Sequence, residues 1–540
     1  MKNILSKSFF SPWVISVLII TLLISMPVLV IFSGLWQDAG IFWMHIRTEL
    51  VPEYIKNTLI LAIGVSTISL IFGVNLAWFI SNFDFPGRNF FSWALIMPIA
   101  IPAYISGFAW AGILDYTSPA YTFLRNTFGW NTGQFLFFDI LSISGAIVIF
   151  SFALYPYIYL IAKAYFDRQS ATMFEASASL GRSKIYTYFN LALPMARPAI
   201  AAGLSLVLME ILNDYGLVKY FGVDTFTTGI FSAWFAFGDK SAAMKLAVYL
   251  MVFVLFLLIF EKMQRRRMRY SGVSEGKLMS RIKVPGFGGW LISFFSAIPF
   301  LIGFAFPFLQ LVYWSFDTWE QFLSQGFIRL FANSFLLAAI SALIVMISSV
   351  LIIYTLRLYN SRRLKVVSVI STLGYALPGA VVALGLLVIL TWTENFFIRQ
   401  WGLKIVITGT WFGLIYAYLV RFMAVGYQSV ESGSEKISKS IDQAALSLGA
   451  GKFRNLWFNS LPLLRASIVS GFLLVMIDVL KELPLTLLLR PFNFDTLAIR
   501  AFEYASDERV SEAAPAAVMI VLAGLVPVLI INRLIGRRKV

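Results

Sequence analysis

Glu175 to Pro194 reads EASASLGRSKIYTYFNLALP, and Gln443 to Pro462 reads QAALSLGAGKFRNLWFNSLP. At one constant offset Ala176 matches Ala444, Gly181 matches Gly449, Lys184 matches Lys452, Leu193-Pro194 matches Leu461-Pro462 and Arg197 matches Arg465. The match runs on to Gly203 and Gly471, inside the apolar stretch that follows each copy. A polar segment kept twice between long apolar segments reads as a docking surface rather than a passive connector.

The physical chemistry of each copy predicts a short helix, a turn and a second short helix. Thr172-x-x-Glu175 and Ser440-x-x-Gln443 fit a capping box, in which a hydroxyl caps the N3 amide and the N3 side chain reaches back. Small residues follow (Ala176, Ser177, Ala178, Ser179; Ala444, Ala445, Ser447), which lets another surface approach closely. Gly181 and Gly449 supply a residue that adopts positive φ and ends the helix. Arg182 to Leu193 and Ala450 to Leu461 are expected to form the second helices, stopped by Pro194 and Pro462.

The 540 residues are 59% hydrophobic and only 13% charged, a balance that cannot cover a soluble surface of this size. The chain is therefore an all-α integral membrane protein, its apolar segments about 20 residues long, as roughly 30 Å of hydrocarbon demands. The segment Trp13 to Phe32 is too long for a signal peptide core and lacks a small-residue cleavage site, so it reads as a retained helix. There is no cysteine and one histidine, His45, which removes disulfides, thiol chemistry, iron–sulfur clusters and His-rich metal sites. The net charge of +16 does not signal nucleic acid, because most Lys and Arg lie in alternate loops, at both termini and in the run Lys262 to Arg269. That is the positive-inside pattern; it places both termini and both copies of the motif in the cytoplasm.

About twelve spans are expected, over 13–34, 57–81, 90–115, 139–163, 196–216, 242–261, 290–313, 333–357, 366–391, 405–427, 466–487 and 511–533. They divide into a first repeat, 1–261, with its loop at 172–194; a basic cytoplasmic linker, 262–289; and a second repeat, 290–540, with its loop at 440–462. The repeats are related beyond the loops: Asn57-Thr58-Leu59 opens one span as Asn333-Ser334-Phe335 opens its counterpart, and Pro102 keeps the spacing from its Asn that Pro378 keeps. An even number of spans per half makes this a parallel duplication with a pathway expected between the halves.

The repeated segment resembles the EAA loop, E-A-A-x3-G-x9-I-x-L-P, of binding-protein-dependent ABC importer permeases. In that family the loop is a coupling helix seated on a separate ATPase. The resemblance implies that Glu175, Ala176, Gly181 and Pro194, and Gln443, Ala444, Gly449 and Pro462, carry the coupling. The sequence departs from the pattern at Ser177, at Gln443 where the acid should stand, and at Leu191 and Asn459 in place of Ile. The chain itself has no phosphate loop: before Gly451-Lys452, position 446 is Leu, and Phe453 stands where Ser or Thr would hold magnesium. ATP and Mg are thus expected on a partner ATPase, in two copies, and the chain itself is expected to be a non-catalytic subunit without a cofactor.

The span after each loop carries two acids at i and i+4, Glu210/Asp214 and Asp478/Glu482, aligned at the loops' own offset. Each pair lies on one helix face, about 6 Å apart along the axis. Ionisable groups at membrane depth default to function, so these four are candidates for the translocation path; the alternative is structural, with Asp478 pairing with Lys481. Downstream, Lys481-Glu482-Leu483-Pro484 through Arg490-Pro491-Phe492-Asn493-Phe494-Asp495-Thr496-Leu497-Ala498 resembles the fused permeases of ferric-iron importers. This implies an inner-membrane permease that receives Fe(III) from a periplasmic binding protein. Carboxylates suit such a hard cation. Related permeases carry thiamine, phosphonates or polyamines, and these alternatives stay open at this point. An ion-gradient-driven transporter would share the spans and the repeat, but it would not need ATPase-docking loops.

Overall fold

The computed structural model describes residues 11–36, 38, 40–115, 118–129, 139–168, 175, 177, 179–266, 281–359 and 361–536. Among these, nine helices are long and apolar enough to cross a bilayer; there are ten if Arg88–Ala100 and Ala103–Ile113, bent by 96°, form one broken span. That bend falls at Pro102, where the ring fixes φ and the chain cannot continue the ladder. Its counterpart Pro378 stands at the start of helix Gly379–Trp401 in the same way. Two expected segments fall short of the apolar criterion. Helix Trp411–Ser434 is interrupted by Arg421 and Gln428, and the apolar part of the last helix, Val510–Val526, is short.

The described residues gather into two compact units. One is built on His45–Gly229 with Val252–Trp319 and Ala501–Val540; the other on Glu320–Arg500 with Met1–Met44 and Ile230–Met251. The compact units and the sequence repeats are therefore different divisions of the chain. Each unit takes the bulk of one repeat and the end segments of the other. Within the first, the linker's far end is tied down where Ile282–Lys283 pairs in parallel with Phe83–Asp84 and Ser293 Oγ donates to the Pro86 carbonyl at 2.6 Å.

Each unit has the same three-helix centre. In the first, Val51–Asn82 and Leu193–Asn213 pack against Ile143–Phe166. Gly73 and Gly203 make this possible. A Cβ on Gly73 would sit 2.8 Å from Ile158 Cβ, and one on Gly203 would sit 2.7 Å from Ile158 Cα. In the second unit, Gln325–Tyr359, Trp411–Ser434 and Leu461–Lys481 meet likewise. There a Cβ on Gly426 would lie 2.6 Å from Val345, and one on Gly471 would lie 2.8 Å from Ser429. The repeated glycines beyond the loops are thus close-approach positions, the usual currency of helix packing in lipid. Gly203→Leu is expected to lower the yield of folded protein several-fold through overpacking of about 1–3 kcal/mol. Monodisperse recovery in detergent, compared with Ser205→Leu two residues on, checks it.

The tryptophans divide. Trp36, Trp290 and Trp401 stand exposed as interfacial anchors do. Trp43 does not: it is buried against Tyr249, with Lys245 Nζ over its ring.

Candidate functional site

Both loops turn on glycine as their sequence predicts. Gly181 has φ +70° and Gly449 φ +83°. Around each, the chain closes the same helix-ending hydrogen bond across five residues: Arg182 N–H donates to the Ser177 carbonyl at 3.1 Å, and Ala450 N–H donates to the Ala445 carbonyl at 3.0 Å. A Cβ at either glycine would meet nothing within 4 Å, so both sit in open space.

Two expectations need correcting. The first helix of the second copy is capped by Ser438, not Ser440: Ser438 lies outside the helix (φ −58°, ψ 136°), its side chain accepts from Ser440 N–H, and helix Lys439–Ser447 already includes Ser440. The corresponding Thr172 lies outside the described residues, as does Ala176. The prolines also do not stop the second helices. Lys184 to Asn213 and Lys452 to Lys481 are each one continuous 30-residue span. A π turn at Tyr188–Ala192 leads into Pro194, and another at Leu456–Ser460 leads into Pro462. The widened turn accommodates the missing N–H and the ring that an ordinary α turn would reject.

Among polar neighbours, the loops present large apolar side chains outward. Leu180 and Leu448 are 79% and 88% exposed. Ile185 and Phe453 are likewise exposed, as are Phe189 and Trp457. These three pairs occupy matching positions in the two copies. Glu175, Gln443, Ala444 and the two glycines lie on exposed backbone beside them. Leu180 and Leu448 stand at the polar turns ahead of the spans, and exposed apolar side chains repeated there mark an interaction site.

The inward faces differ. In the first copy Ser177, at the third motif position, is buried and shares a 2.8 Å hydrogen bond with Thr187, and Tyr188 donates to Asn75 Oδ1 at 2.9 Å. In the second, Asp442 is buried and takes two bonds from Arg357, from Nε at 2.8 Å and from Nη2 at 2.5 Å. Asn455 Nδ2 and Ser460 Oγ donate to its other oxygen. Asp442, Arg357 and Arg421 are functional-site neighbours that motif reading passes over. The signal for the two arginines was available: each is a charge in or at the end of an apolar run.

The four acids of the following spans separate into two roles. Asp214 Oδ1 accepts the Leu217 and Val218 N–H groups at 2.9 and 3.2 Å, capping the short helix Gly216–Tyr220. Its repeat partner Glu482 accepts the Leu485 N–H at 3.2 Å, at the start of Pro484–Leu489. Glu482 is 7% exposed and is paired at 3.1 Å with Arg421, whose Nη1 also donates to the Leu377 carbonyl. At these two positions the carboxylates cap short helices, and Glu482 also holds an arginine. Glu210 and Asp478, one turn earlier, are half-buried.

Comparison with known proteins agrees with this architecture. The profile of the family described as "Binding-protein-dependent transport system inner membrane component" matches twice, over residues 69–270 and 350–540. The chain is 27% identical over 494 residues to a Haemophilus influenzae protein named "Fe(3+)-transport system permease protein FbpB 2", covering 89% of this chain and 90% of that one. It is 25% identical over 490 residues to the "Ferric transport system permease protein FbpB" of Actinobacillus pleuropneumoniae, covering 84% and 68%. A "Sulfate transport system permease protein CysT" from Salmonella typhimurium is 26% identical over 210 residues, 38% of this chain.

Proposed function

Since the chain belongs to the family of binding-protein-dependent transport system inner membrane components, we propose that it is the complete permease of an ABC importer for Fe(III). Two likenesses to ferric permeases that run over both repeats of this chain support the substrate, while the sulfate permease matches only one repeat's worth of chain. In this reading a periplasmic binding protein delivers iron, a separate ATPase binds ATP and Mg, and two copies of it dock, one on each loop. Both termini lie in the cytoplasm with the loops.

The observation that carries the coupling role is the pairing of exposed apolar residues, Leu180/Leu448, Ile185/Phe453 and Phe189/Trp457, about the two positive-φ glycines. ATP binding closes the ATPase pair, and the loops carry that motion into the spans continuous with them. The pathway then opens alternately outward and inward. Glu210 and Asp478, half-buried at matching positions one turn before the acids that hold short helices, are the acids we assign to the cation path. Asp478→Asn is expected to slow uptake several-fold without loosening ATPase binding; unchanged uptake removes Asp478 from the path.

The test is radiolabelled Fe(III) uptake into proteoliposomes holding the chain and its co-purified ATPase, with binding protein outside and ATP inside. ATP-dependent accumulation that thiamine and phosphonate do not compete establishes class and substrate together. ATPase stimulation by loaded binding protein without iron uptake keeps the permease and discards iron.

A further inference from the structure

The two loops place their acid on opposite faces. In the first copy it is Glu175, which is exposed. In the second it stands one residue earlier, at Asp442, leaving Gln443 exposed; the position matching Asp442 in the first copy is Phe174. One residue is about 100° of helix rotation, so the charge has moved from the outward face to the inward one. There Asp442 meets Arg357, with side-chain exposures of 10% and 8%.

Arg357 does more than neutralise it. Its Nη1 donates to the Ser434 carbonyl at 2.8 Å and the Ile437 carbonyl at 3.1 Å, and its Nη2 donates to the Ser438 carbonyl at 3.3 Å. One guanidinium at the end of helix Gln325–Tyr359 thus holds the end of helix Trp411–Ser434, the cap of the loop helix and the loop helix itself. Beyond the glycine, Asn455 bridges Asp442 to the Tyr354 hydroxyl, and that hydroxyl donates to the Lys452 carbonyl at 2.5 Å. Both sides of the Gly449 turn are therefore tied to the same helix. Among the described residues of the first copy, Ser177–Thr187 and Tyr188–Asn75 supply only neutral bonds.

We propose that Arg357 is a positioning residue for energy coupling: through Asp442 it makes the second loop and helix Gln325–Tyr359 move as one element. Among its described residues the first loop is held by neutral bonds, and Glu175 stays exposed for the partner. A guanidinium fork against a carboxylate fixes direction as well as distance, which hydroxyl pairs do not. This inference rests on the reading of the loops as ATPase-docking elements.

The test measures solute moved per ATP hydrolysed in proteoliposomes of the full complex. Variants are Arg357→Lys, Asp442→Asn and the apolar pair Arg357→Met/Asp442→Leu, in which the buried charge is removed from both sides. Asp442→Asn and the apolar pair are expected to keep the ATPase bound and hydrolysing while the coupling ratio falls about tenfold. Arg357→Lys keeps charge without the fork and is expected to fall between. A structural role alone would reduce hydrolysis, binding and uptake together, and the apolar pair would restore all three; that result, or an unchanged ratio, overturns the proposal. Leu448→Asp in parallel separates the two ideas. If it leaves ATPase binding intact, the docking reading itself fails, whatever the Arg357 variants do.

Discussion

Placing aspartate at both Leu180 and Leu448 is expected to release the ATPase from the permease and abolish uptake. Each leucine is more than three-quarters exposed, so the fold loses almost nothing by the change. A partner that covers a leucine of this size gains about 1.5–3 kcal/mol from the burial. An aspartate in its place must instead be desolvated without a counterion, which turns the contribution unfavourable by several kcal/mol. Over two sites the combined loss is about three orders of magnitude or more in affinity. Co-purification of the ATPase with the doubly substituted chain checks it, alongside a monodispersity profile matching the parent. Retention of the ATPase at parental stoichiometry would exclude these leucines from the contact.

The second large effect is on stability. Glu482→Ala takes the paired carboxylate from the buried Arg421 guanidinium, leaving its hydrogen bond to the Leu377 carbonyl, and it uncaps the helix Pro484–Leu489. Breaking one side of a buried pair costs about 3–5 kcal/mol, a large part of the stability of an ordinary domain. The surroundings leave little room for relaxation: a Cβ on Gly379 would stand 2.6 Å from Glu482 Oε1, and Thr486 hydrogen-bonds both the Glu482 carbonyl and the Tyr418 hydroxyl. Removing both charges, as Arg421→Met/Glu482→Leu, is expected to recover most of the loss. Thermal unfolding in detergent of the two singles and the double decides it. Singles as stable as the parent would show that this pair contributes nothing net.

The membrane class, the repeat and the loops were legible because they depend on composition and on residues with one physical use. Gly181 and Gly449 were readable as positive-φ turns for that reason. The prolines misled. A proline after a short amphipathic run normally ends a helix, and nothing in TYFNLALP or LWFNSLP announces that a π turn will carry the chain through. The cap at Ser438 was hidden by a second serine two residues on, since both satisfy the local pattern and only backbone geometry chooses. The acids show a deeper limit. Helical spacing placed Glu210/Asp214 and Asp478/Glu482 each on one face, but the helices end at Asn213 and Lys481, Asp214 and Glu482 turn to cap the next short helices, and the Arg421 partner of Glu482 comes from tertiary structure. Ser177 looked like a lapse from the motif, and it is a buried hydrogen-bonding residue matched to Thr187.

The exchange of end segments between the compact units bears on how the protein is made. The unit built on His45–Gly229 also contains Ala501–Val540, where Phe502 packs beside Tyr104 and Tyr215 and the Ser511 carbonyl accepts from Thr318. Domains ordinarily complete their folding in order as the ribosome delivers them. Here the earlier-synthesised half must wait, inserted but unfinished, until the final helix emerges. A stop codon just after Arg500 would therefore leave the unit built on His45–Gly229 without its last helix, and quality control in the membrane would meet an early-made unit that closes late.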